Sequence, residues 1–434
     1  MDLASTTALL TDRYELTMIQ AALHSGTAMR RTVFEVFARK LPHGRRYGVV
    51  AGTGRLLDAL EAYVFDEAAV EFLRGHVVDD VTAEWLANFR FSGDIYGYAE
   101  GDCYFPGSPI LRVEGTFAEA VVLETLALSI LNHDCAIASA ASRMVHAAGG
   151  RPIIEMGSRR THEQAGVASA RAAYIAGFAT TSNLEAGRSY GVPTAGTSAH
   201  AFTLLNDSER RAFEAQLAAG GTGTTLLVDT YDVERAVRTG IELAGPELGA
   251  VRIDSGDLAM AAHDVRRLLD SLDAKKTKIV VTGDLDEYSI AALAVAPVDG
   301  YGVGTSLVTG SGAPTASLVY KLVARADSAG PDAPLRPAAK RSIGKPSKGG
   351  RKSAVRRIDG DGVARAEIVT TGQPEPGPHD RELLVPLVRG GEIVGREPID
   401  DARARHRRTV AELPPTARQL SRGDPAIPTE FVTA

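Results

Sequence analysis

The sequence predicts an α/β fold in which an irregular seven-stranded α/β barrel is joined to a mixed α/β sandwich domain formed by both chain ends. Three observations support this fold class. The chain has 434 residues, more than one hydrophobic core usually organises. Its middle third alternates short apolar runs with helical patterns. Its two flanks instead carry short strand patterns separated by glycine and proline turns.

The barrel prediction rests on the middle third. Seven short apolar or β-branched runs occur there, at residues 153–156, 178–181, 192–196, 225–229, 250–254, 279–282 and 299–303. Helical patterns follow most of them, at residues 161–177, 208–219, 232–244 and 257–272. This alternation implies parallel strands with crossover helices, so we predict a barrel over residues 126–324 with its chemistry at the strands' C-terminal ends. An open doubly wound sheet is the alternative.

The flanks predict the second domain, formed by residues 1–125 together with residues 325–434. Residues 31–52 alternate apolar and polar side chains around Pro42 and Gly44, which predicts a hairpin. Strand and loop patterns resume after Tyr320. The simplest arrangement is one mixed α/β domain to which both ends of the chain contribute.

Composition excludes several functional classes. Lys and Arg total 48 against 54 Asp and Glu, a net charge of −6, which argues against a nucleic-acid partner. We see no apolar run as long as a membrane span, and the charges near the N-terminus do not fit a secretory signal. Two cysteines cannot form a disulfide framework or a cysteine-rich zinc site. A cytoplasmic protein with no membrane partner is expected.

Two glycine-bearing segments follow the last two predicted strands. One contains Gly283 and Asp284; the other contains Gly302, Gly304 and Thr305. Glycines leave backbone N–H groups accessible, and a phosphate fits beside such groups and a hydroxyl. The last two strands are also the usual phosphate position in α/β barrels. A purely steric role for these glycines is the alternative, and the segments match neither a P-loop nor a Rossmann motif.

A histidine follows the predicted strand at residues 192–196. Thr197 and Ser198 are expected to cap a helix that carries His200 in its first turn. The positive end of a helix dipole favours a neutral, nucleophilic imidazole. A structural histidine is the common alternative, but the small and hydroxyl-bearing residues around His200 favour function.

Charged side chains end two other predicted strands. Arg159 follows residues 153–156, where a guanidinium is well shaped to bind a carboxylate or phosphate. Arg252, Asp254 and Asp257 lie close together at the end of residues 250–254. Asp254 could hold Mg²⁺ through water or accept ribose hydroxyls. Asp257 is expected to cap the following helix.

Residues 340–357 contain eight Lys or Arg side chains and no acid. A solvated loop is one interpretation of this stretch. The other is a positive rim that draws in a polyphosphate substrate by electrostatic steering.

Several segments together resemble one family, the nicotinate phosphoribosyltransferases. They run in order from about residue 9 to about residue 310, and they are LLTDRYELTM, FEVFARKLP, EMGSRRTHEQAG, TTSNLEAGRSYGVPTAGTSAHAF, VDTYDVERAV, VRIDSGDL and VGTSLVTG. The resemblance implies the type II phosphoribosyltransferase fold, a sandwich domain with a seven-stranded barrel, and a homodimer with a shared active site. It also implies an ATP-dependent reaction of the ligase class in NAD salvage. Nicotinate and phosphoribosyl pyrophosphate (PRPP), with ATP and water, give nicotinate mononucleotide, pyrophosphate, ADP and phosphate, with Mg²⁺ as cofactor.

The resemblance also implies roles for individual residues. Tyr14, Thr197 and Arg252 fall at nicotinate-contacting positions, His200 at the position phosphorylated by ATP, and Thr305 in the loop that holds the phosphate of PRPP. Arg159 matches the family pattern at the end of the first barrel strand, and we group it with the nicotinate-binding residues. The family places the N-terminal segment over the neighbouring subunit's barrel mouth. Closure of Tyr14 over its own barrel is the alternative.

Three alternatives remain open on the sequence alone, and one of them is a non-enzymatic scaffold, which measurable ATP turnover would exclude. Another type II phosphoribosyltransferase would use nicotinamide or quinolinate. A phosphate-binding barrel isomerase or aldolase would need a lysine or glutamate at a strand end, and Glu155 is the only glutamate candidate. The chain diverges from the family after Tyr320, so no role is assigned to its last hundred residues.

Overall fold

The computed structural model describes residues 6–330, 332–340, 347–372 and 376–432. The chain divides into two compact units. The two-segment unit comprises residues 1–136 and 315–434, and the central unit comprises residues 137–314. The domain division expected from the sequence, at 125/126 and 324/325, stays a prediction.

The helices and strands up to the end of the first segment are α1 (Arg13–His24), β1 (Arg31–Ala38), β2 (Gly48–Val49), α2 (Thr53–Glu61), α3 (Glu67–Leu73), α4 (Asp80–Ala87), β3 (Asp94–Tyr98), β4 (Cys103–Tyr104), β5 (Leu111–Thr116), α5 (Phe117–Val121) and α6 (Glu124–Ala147). Those that follow in the central unit are β6 (Ile153–Glu155), α7 (Glu163–Ile175), β7 (Thr180–Thr181), α8 (Leu184–Tyr190), α9 (His200–Leu205), α10 (Glu209–Gly220), β8 (Thr225–Leu227), α11 (Val233–Ala244), β9 (Ala250–Ile253), α12 (Leu258–Ser271), β10 (Lys278–Val281), α13 (Glu287–Ala292), β11 (Gly300–Val303) and α14 (Thr305–Val308). The last segment contains β12 (Leu318–Ala326), β13 (Leu335–Pro337), β14 (Ser353–Ile358), β15 (Ala364–Thr370), β16 (Arg381–Glu382), β17 (Leu384–Arg389), β18 (Glu392–Ile393), α15 (Ile399–Ala411) and β19 (Thr429–Val432).

The main sheet of the two-segment unit draws strands from both ends of the chain. Its order is β13-β12-β1-β5-β3-β17-β18, and β1 pairs antiparallel with both β12 and β5. Two smaller sheets have the orders β16-β14-β15-β19 and β2-β4. In the core of the unit, the ring of Phe34 on β1 stacks on that of Tyr320 on β12, with centroids 4.9 Å apart.

The hairpin predicted over residues 31–52 is wrong. Residues 42–44 form a single 3₁₀ turn, β1 pairs with β5 and β12, and β2 pairs with β4. Six of the eight residues of β1 are buried. Burial on both faces is typical of a central strand with neighbours on each side, whereas a two-stranded hairpin would leave one edge of β1 unpaired.

The central unit is built on a parallel sheet with the order β7-β6-β11-β10-β9-β8. The first strand, β6, pairs with the last, β11, so the strands follow one another around the sheet as in a barrel. A doubly wound sheet would instead reverse its strand order at an internal switch point. The structure therefore supports a mixed α/β fold with a parallel half-barrel.

Six of the seven predicted barrel strands are present, and the run at residues 192–196 is not a strand. It contributes one bridge, in which Thr194 pairs parallel with Thr181. Thr181 N donates to Pro193 O, and Ala195 N donates to Thr181 O, both at 2.9 Å. Pro193 has no N–H and cannot extend the ladder. The closed seven-stranded barrel stays a prediction.

Two of the predicted helix starts carry acidic caps. Asp232 accepts a hydrogen bond from Arg235 N at 2.8 Å at the start of α11. Asp257 does the same from Met260 N at 3.0 Å at the start of α12. The capping role expected for Asp257 is confirmed.

One helical stretch among the described residues, Phe117–Ala147, is long and apolar enough to cross a membrane by length and composition, contrary to the sequence expectation. Its mean hydropathy is 1.4, but 67% of the apolar window is buried inside the protein, as in a core helix. Both cysteines are also buried and unbridged. Burial raises the pKa of the Cys103 thiol to about 12 and also raises the pKa of Cys135.

Candidate active site

Arg252 on β9 is fixed by neighbours at the C-terminal end of the parallel sheet. Its Nε donates to Thr282 Oγ1 at 2.9 Å, and its Nη2 donates to Asp254 Oδ1 at 2.8 Å. The Arg252 side chain is 13% exposed. Thr282 also donates to Asp254 Oδ1. A half-buried guanidinium held in this way is preorganised to receive an anion.

The guanidinium keeps hydrogen-bonding capacity beyond these contacts. Its Nη1 donates to Ser198 O at 3.4 Å. An arginine has five N–H donors, so a bound carboxylate or phosphate could still be held by those not used here. The Ser198 contact also links Arg252 to the segment that leads into His200.

Asp254 is a partner of Arg252 as well as a candidate metal ligand. Burial alone would raise the pKa of Asp254, but hydrogen bonds from Thr282 and Arg252 and the charge of Arg252 hold it below its usual value. No group of three or more His, Cys, Asp or Glu side chains could hold a metal ion in the part of the chain that the structure describes. Mg²⁺ often uses only one or two carboxylates together with substrate phosphates, so Asp254 fits only that kind of site.

His200 is the first residue of α9 and faces a buried carboxylate. Its Nδ1 lies 3.1 Å from Thr230 Oγ1, and its Nε2 lies 3.8 Å from Asp229 Oδ1. The Asp229 side chain is 4% exposed. Asp229 Oδ2 accepts from Asp254 N at 2.8 Å and from Ser255 Oγ at 2.7 Å. Asp229 Oδ1 has no hydrogen-bond partner among the described residues, so it is available to the imidazole.

Sequence reasoning missed Asp229 and Thr230 as site residues. Asp229 ends the run predicted as a strand at residues 225–229, Thr230 follows it, and both lie within the segment VDTYDVERAV. Polar side chains at the C-terminal end of a barrel strand are the signal that could have found them.

The capping role expected for Thr197 and Ser198 is wrong. The N-cap position of α9 is Ala199, and no side chain caps the helix. Thr197 Oγ1 and Ser198 Oγ instead lie near the carbonyls of Ser198 and Ala199, at 3.5 and 3.3 Å. A capping oxygen must accept from an N–H two or three residues ahead, and neither hydroxyl does so here. Thr197 is exposed and therefore accessible to a ligand.

Glu155, the glutamate candidate of the isomerase or aldolase alternative, is fully buried at the end of β6. Its carboxylate accepts from Gly157 N and from Thr181 Oγ1. Burial raises its pKa. A general base must reach its substrate, whereas Glu155 has no exposed surface, and the structure therefore removes this support for the rival chemistry.

The glycine segments lie at the ends of neighbouring strands. Gly283 has a φ of 105°, and a Cβ there would lie 2.6 Å from Asp254 O, so the tight turn requires glycine. Asp284 follows it and is exposed. Gly304 occupies the N-cap position of α14, and Thr305 is the first residue of that helix.

Gly302 lies inside β11 rather than in the loop. It is buried and pairs with Ile154. A Cβ there would lie 2.4 Å from Thr282 Cγ2 and 2.8 Å from Met156 Sδ. Close packing inside the sheet accounts for this glycine, and the expectation that it leaves N–H groups open in a loop is corrected.

Arg159 lies in the 3₁₀ turn Ser158–Arg160 and is exposed. A structural role for Arg159 would be an ion pair with Glu163 or Glu185, but Glu163 pairs with His162 and Glu185 pairs with Arg188. No ion pair of Arg159 occurs within the described ranges, so its charge is available to a ligand.

Tyr14 belongs to the two-segment unit, where it lies in the first turn of α1 and is 44% exposed. The neighbouring Glu15 is buried and accepts from Thr125 N at 2.9 Å and from Thr11 Oγ1. Burial raises the pKa of Glu15 to about 7. Asp12 occupies the N-cap position without a side-chain hydrogen bond, so Glu15 rather than a cap holds this turn in place.

The two-segment unit also contains a cavity of about 410 Å³ lined by cationic and aromatic side chains. The cations are Arg39, Lys348 and Lys352, and the aromatic rings are Phe37 and Phe431. The carboxylate of Glu35 also lines the cavity and pairs with Lys352, with 2.7 Å between Oε2 and Nζ. Lys348 Nζ lies 3.4 Å from the ring centroid of Phe431. Residues 347–357 of the basic stretch are described, whereas residues 341–346 lie outside the described residues.

The C-terminal ends of the parallel strands present Arg252 beside a histidine–aspartate pair and next to glycine-bearing turns. This arrangement suits the binding of an anionic ring and a sugar phosphate. The model of the nicotinate phosphoribosyltransferase N-terminal domain family matches residues 9–132. Nicotinate phosphoribosyltransferase pncB1 of Mycobacterium tuberculosis is 58% identical over 437 residues, covering 98% of this chain and 95% of the relative. Nicotinate phosphoribosyltransferase pncB2 of the same organism is 41% identical over an alignment that covers 95% of this chain and 89% of the relative.

Two solved structures of related enzymes have the same fold as this chain. The crystal structure of human nicotinic acid phosphoribosyltransferase superposes with a TM-score of 0.82 at 25% identity and covers 98% of this chain and 97% of that one. A nicotinate-nucleotide pyrophosphorylase from Pyrococcus furiosus has the same fold, with a TM-score of 0.76 at 24% identity, covering 95% of this chain and 98% of its own.

The fold and the strand-end site together define an enzyme of the phosphoribosyltransferase class. Within that class, the identity along almost the whole length of pncB1 decides the assignment. The chain belongs to the nicotinate phosphoribosyltransferase family.

Proposed function

We propose that this chain transfers the phosphoribosyl group of PRPP to nicotinate and couples this transfer to ATP hydrolysis. The observation that carries the proposal is the Arg252 guanidinium, which is held at a strand end and linked through Ser198 O to the segment leading into His200. The carboxylate of nicotinate needs such a cation, and the amide of nicotinamide does not. Thr197 and Arg159 are both exposed, and they would complete the proposed nicotinate site on this chain.

Transfer itself requires little proton chemistry. The ring nitrogen of nicotinate attacks the anomeric carbon of PRPP, the bond to pyrophosphate breaks, and positive charge develops on the ribose. Positioning and electrostatic stabilisation supply catalysis in such a step, and no general base is needed. Gly283, Asp284, Gly304 and Thr305 would form the PRPP site, in which backbone N–H groups and the Thr305 hydroxyl would hold the phosphates. Mg²⁺ would neutralise the leaving pyrophosphate, with Asp254 as the candidate ligand.

ATP coupling would run through His200. Asp229 Oδ1 faces Nε2, so it favours the tautomer with its proton on Nε2 and leaves Nδ1, beside Thr230, as the nucleophile. Nδ1 attacks the γ-phosphorus of ATP, a P–N bond forms, and ADP leaves. Water later cleaves the P–N bond and releases phosphate. Asp229 would stabilise the positive charge of the imidazole during both steps.

The basic stretch supports a second part of the proposal. Lys348 and Lys352, together with Arg39, line one cavity rather than lying scattered on a solvated loop. Glu35 neutralises Lys352 within this cavity, so Arg39 and Lys348 supply its net positive charge. Net positive charge around a cavity concentrates anionic ligands and accelerates their association. We therefore propose that this surface collects the polyphosphate substrates.

The closed barrel, the domain boundaries and the cellular location of the enzyme are parts of the same proposal. The run at residues 192–196 would complete a seven-stranded barrel within a catalytic domain at 126–324, joined to a sandwich domain formed by 1–125 and 325–434. We propose a cytoplasmic enzyme, because its substrates PRPP and ATP are made inside the cell.

A coupled assay for mononucleotide formation tests the function. Nicotinate, nicotinamide and quinolinate should be compared as acceptors, each with and without ATP. We expect product with nicotinate only, and a faster reaction when ATP is present, because Arg252 discriminates by charge and ATP drives His200. Equal rates with nicotinamide would contradict the acid-binding role of Arg252, and no effect of ATP would remove the coupling.

We also propose a homodimer in which Tyr14 of one subunit completes the active site of the other. The exposed ring of Tyr14 could stack on the pyridine of nicotinate and contribute about 0.5–1.5 kcal/mol beyond area burial. A chain with Tyr14→Ala and a chain with His200→Ala, each nearly inactive alone in ATP-coupled synthesis, should regain up to about half the activity when mixed, since one intact site forms per heterodimer.

Heterodimer formation must be shown separately, for example with two different affinity tags. Heterodimers without recovered activity would mean that Tyr14 serves the barrel of its own chain.

A further inference from the structure

The turn that follows α14 has an unusual backbone. Gly310, Ser311 and Gly312 have φ angles of 61°, 52° and 81°. Ser311 N donates to Ser306 O at 2.6 Å, and Gly310 N donates to Leu307 O at 2.8 Å, the two bonds of a Schellman cap. Glycine adopts these left-handed angles freely, whereas serine is strained in them. The Schellman cap therefore does not explain why this position carries a serine rather than a glycine.

That side chain is part of a buried polar link. Ser311 Oγ donates to Glu287 Oε2 at 2.5 Å. The other oxygen of the carboxylate, Oε1, accepts from Arg143 Nε at 3.0 Å, and the side chains of Arg143 and Glu287 are 10% and 4% exposed. Arg143 Nη2 also donates to Tyr288 OH at 3.3 Å. Buried networks whose members satisfy one another hold their elements in one arrangement.

The link joins the two strand-end loops proposed to bind PRPP. Glu287 is the first residue of α13 and directly follows the loop at residues 282–286, which leaves β10. Ser311 ends the segment that leaves β11 and contains Gly304 and Thr305. Strands β10 and β11 are parallel neighbours, with Val281 opposite Tyr301. One carboxylate thus ties the far ends of both loops together.

We propose that Ser311 is a positioning residue for PRPP binding. Through Glu287 and Arg143 it fixes the spacing of the loops after β10 and β11, and it does so without touching the substrate. The strained backbone at Ser311 is retained because only a side chain with a hydroxyl at this point reaches Glu287. The inference rests on the proposed function, in which these loops hold the phosphates.

Two substitutions separate the side chain from the backbone. Ser311→Ala removes the hydroxyl and keeps the strain, whereas Ser311→Gly removes both. The Kd for PRPP is measured by calorimetry, the KM values for both substrates by the coupled assay, and the Tm by thermal unfolding. We expect both variants to raise the Kd for PRPP at least about fivefold, with the KM for nicotinate changed less than about twofold. The Tm of Ser311→Gly should lie above that of Ser311→Ala, because glycine relieves the backbone strain that alanine keeps.

Ser317→Gly is the matched control. Ser317 also has a positive φ, 60°, but it is exposed and lies outside both loops, and its hydroxyl has no link to Glu287. Its replacement should raise the Tm by relief of backbone strain and leave PRPP binding unaltered. A normal Kd in Ser311→Gly would overturn the inference, and so would weaker binding in Ser311→Ala alone. If the unsubstituted enzyme does not bind PRPP, the proposed function fails, and the positioning role falls with it.

Discussion

Replacing His200 with alanine should abolish ATP hydrolysis and the incorporation of acid-labile phosphate, while slow ATP-independent synthesis of the mononucleotide continues. Loss of a nucleophile removes a whole reaction path, and we expect ATP hydrolysis to fall by at least about 10³-fold. The measurements are ADP release, phosphate incorporation from labelled ATP, and mononucleotide formation with and without ATP. Full stimulation by ATP in this variant would show that His200 is not the phosphorylated residue.

Two further variants sharpen the result for His200. Asp229→Asn keeps the shape of the side chain but removes the charge that faces Nε2, so it should lower ATP hydrolysis while ATP-independent transfer stays near normal. His263→Ala is the matched control, because His263 is an exposed histidine on α12 away from the strand ends. It should behave like the unsubstituted enzyme in all three assays.

Arg252→Ala should raise the KM for nicotinate far more than the KM for PRPP. Removing one partner of a desolvated charge pair costs roughly 2–5 kcal/mol, because the other charge is left unpaired. That range corresponds to an increase of about 30- to 4,000-fold in the KM for nicotinate. Steady-state kinetics with each substrate varied in turn measures the effect. Equal effects on both substrates would mean that Arg252 is a phosphate ligand or a structural residue.

A loss of folding must be distinguished from a loss of binding in this variant. Arg252 also pairs with Asp254 and bonds Thr282, so its removal leaves a half-buried carboxylate without its cation. Arg151→Ala is a suitable control, because Arg151 is half-buried in the same unit but precedes β6, at the opposite end of the strand from the site. Its Tm should fall with little change in the KM for nicotinate.

The βα rhythm of the central third was predictable because each short apolar run is bounded by residues that end a strand. Six of the seven runs form strands, and the helix after β9 follows Asp257, the aspartate expected to cap it. The run at residues 192–196 misled because its apolar pattern continues through Pro193, which cannot extend a ladder. The local pattern around Pro42 likewise indicated a hairpin, although the partners of β1 come from distant segments.

The candidate site was predictable only in part. Arg252, Asp254 and His200 lie at strand or helix ends, which the sequence marks. Their further contacts depend on tertiary structure: Asp254 accepts from Thr282 because β9 and β10 are neighbours, and Asp229 accepts from Asp254 N because β8 and β9 are neighbours. Side-chain capping by Thr197 failed for the same reason, since the path of residues 195–199 is set by contacts at both ends.

The burial of both thiols makes this chain convenient for site-specific labelling. Cys103 and Cys135 are fully buried, and their raised pKa values keep them as unreactive thiols at neutral pH. A cysteine introduced at Gly196, which is exposed and has open space where a side chain would be added, would be the single accessible thiol. A fluorophore attached there would report directly on movement of the segment that carries His200 as substrates bind.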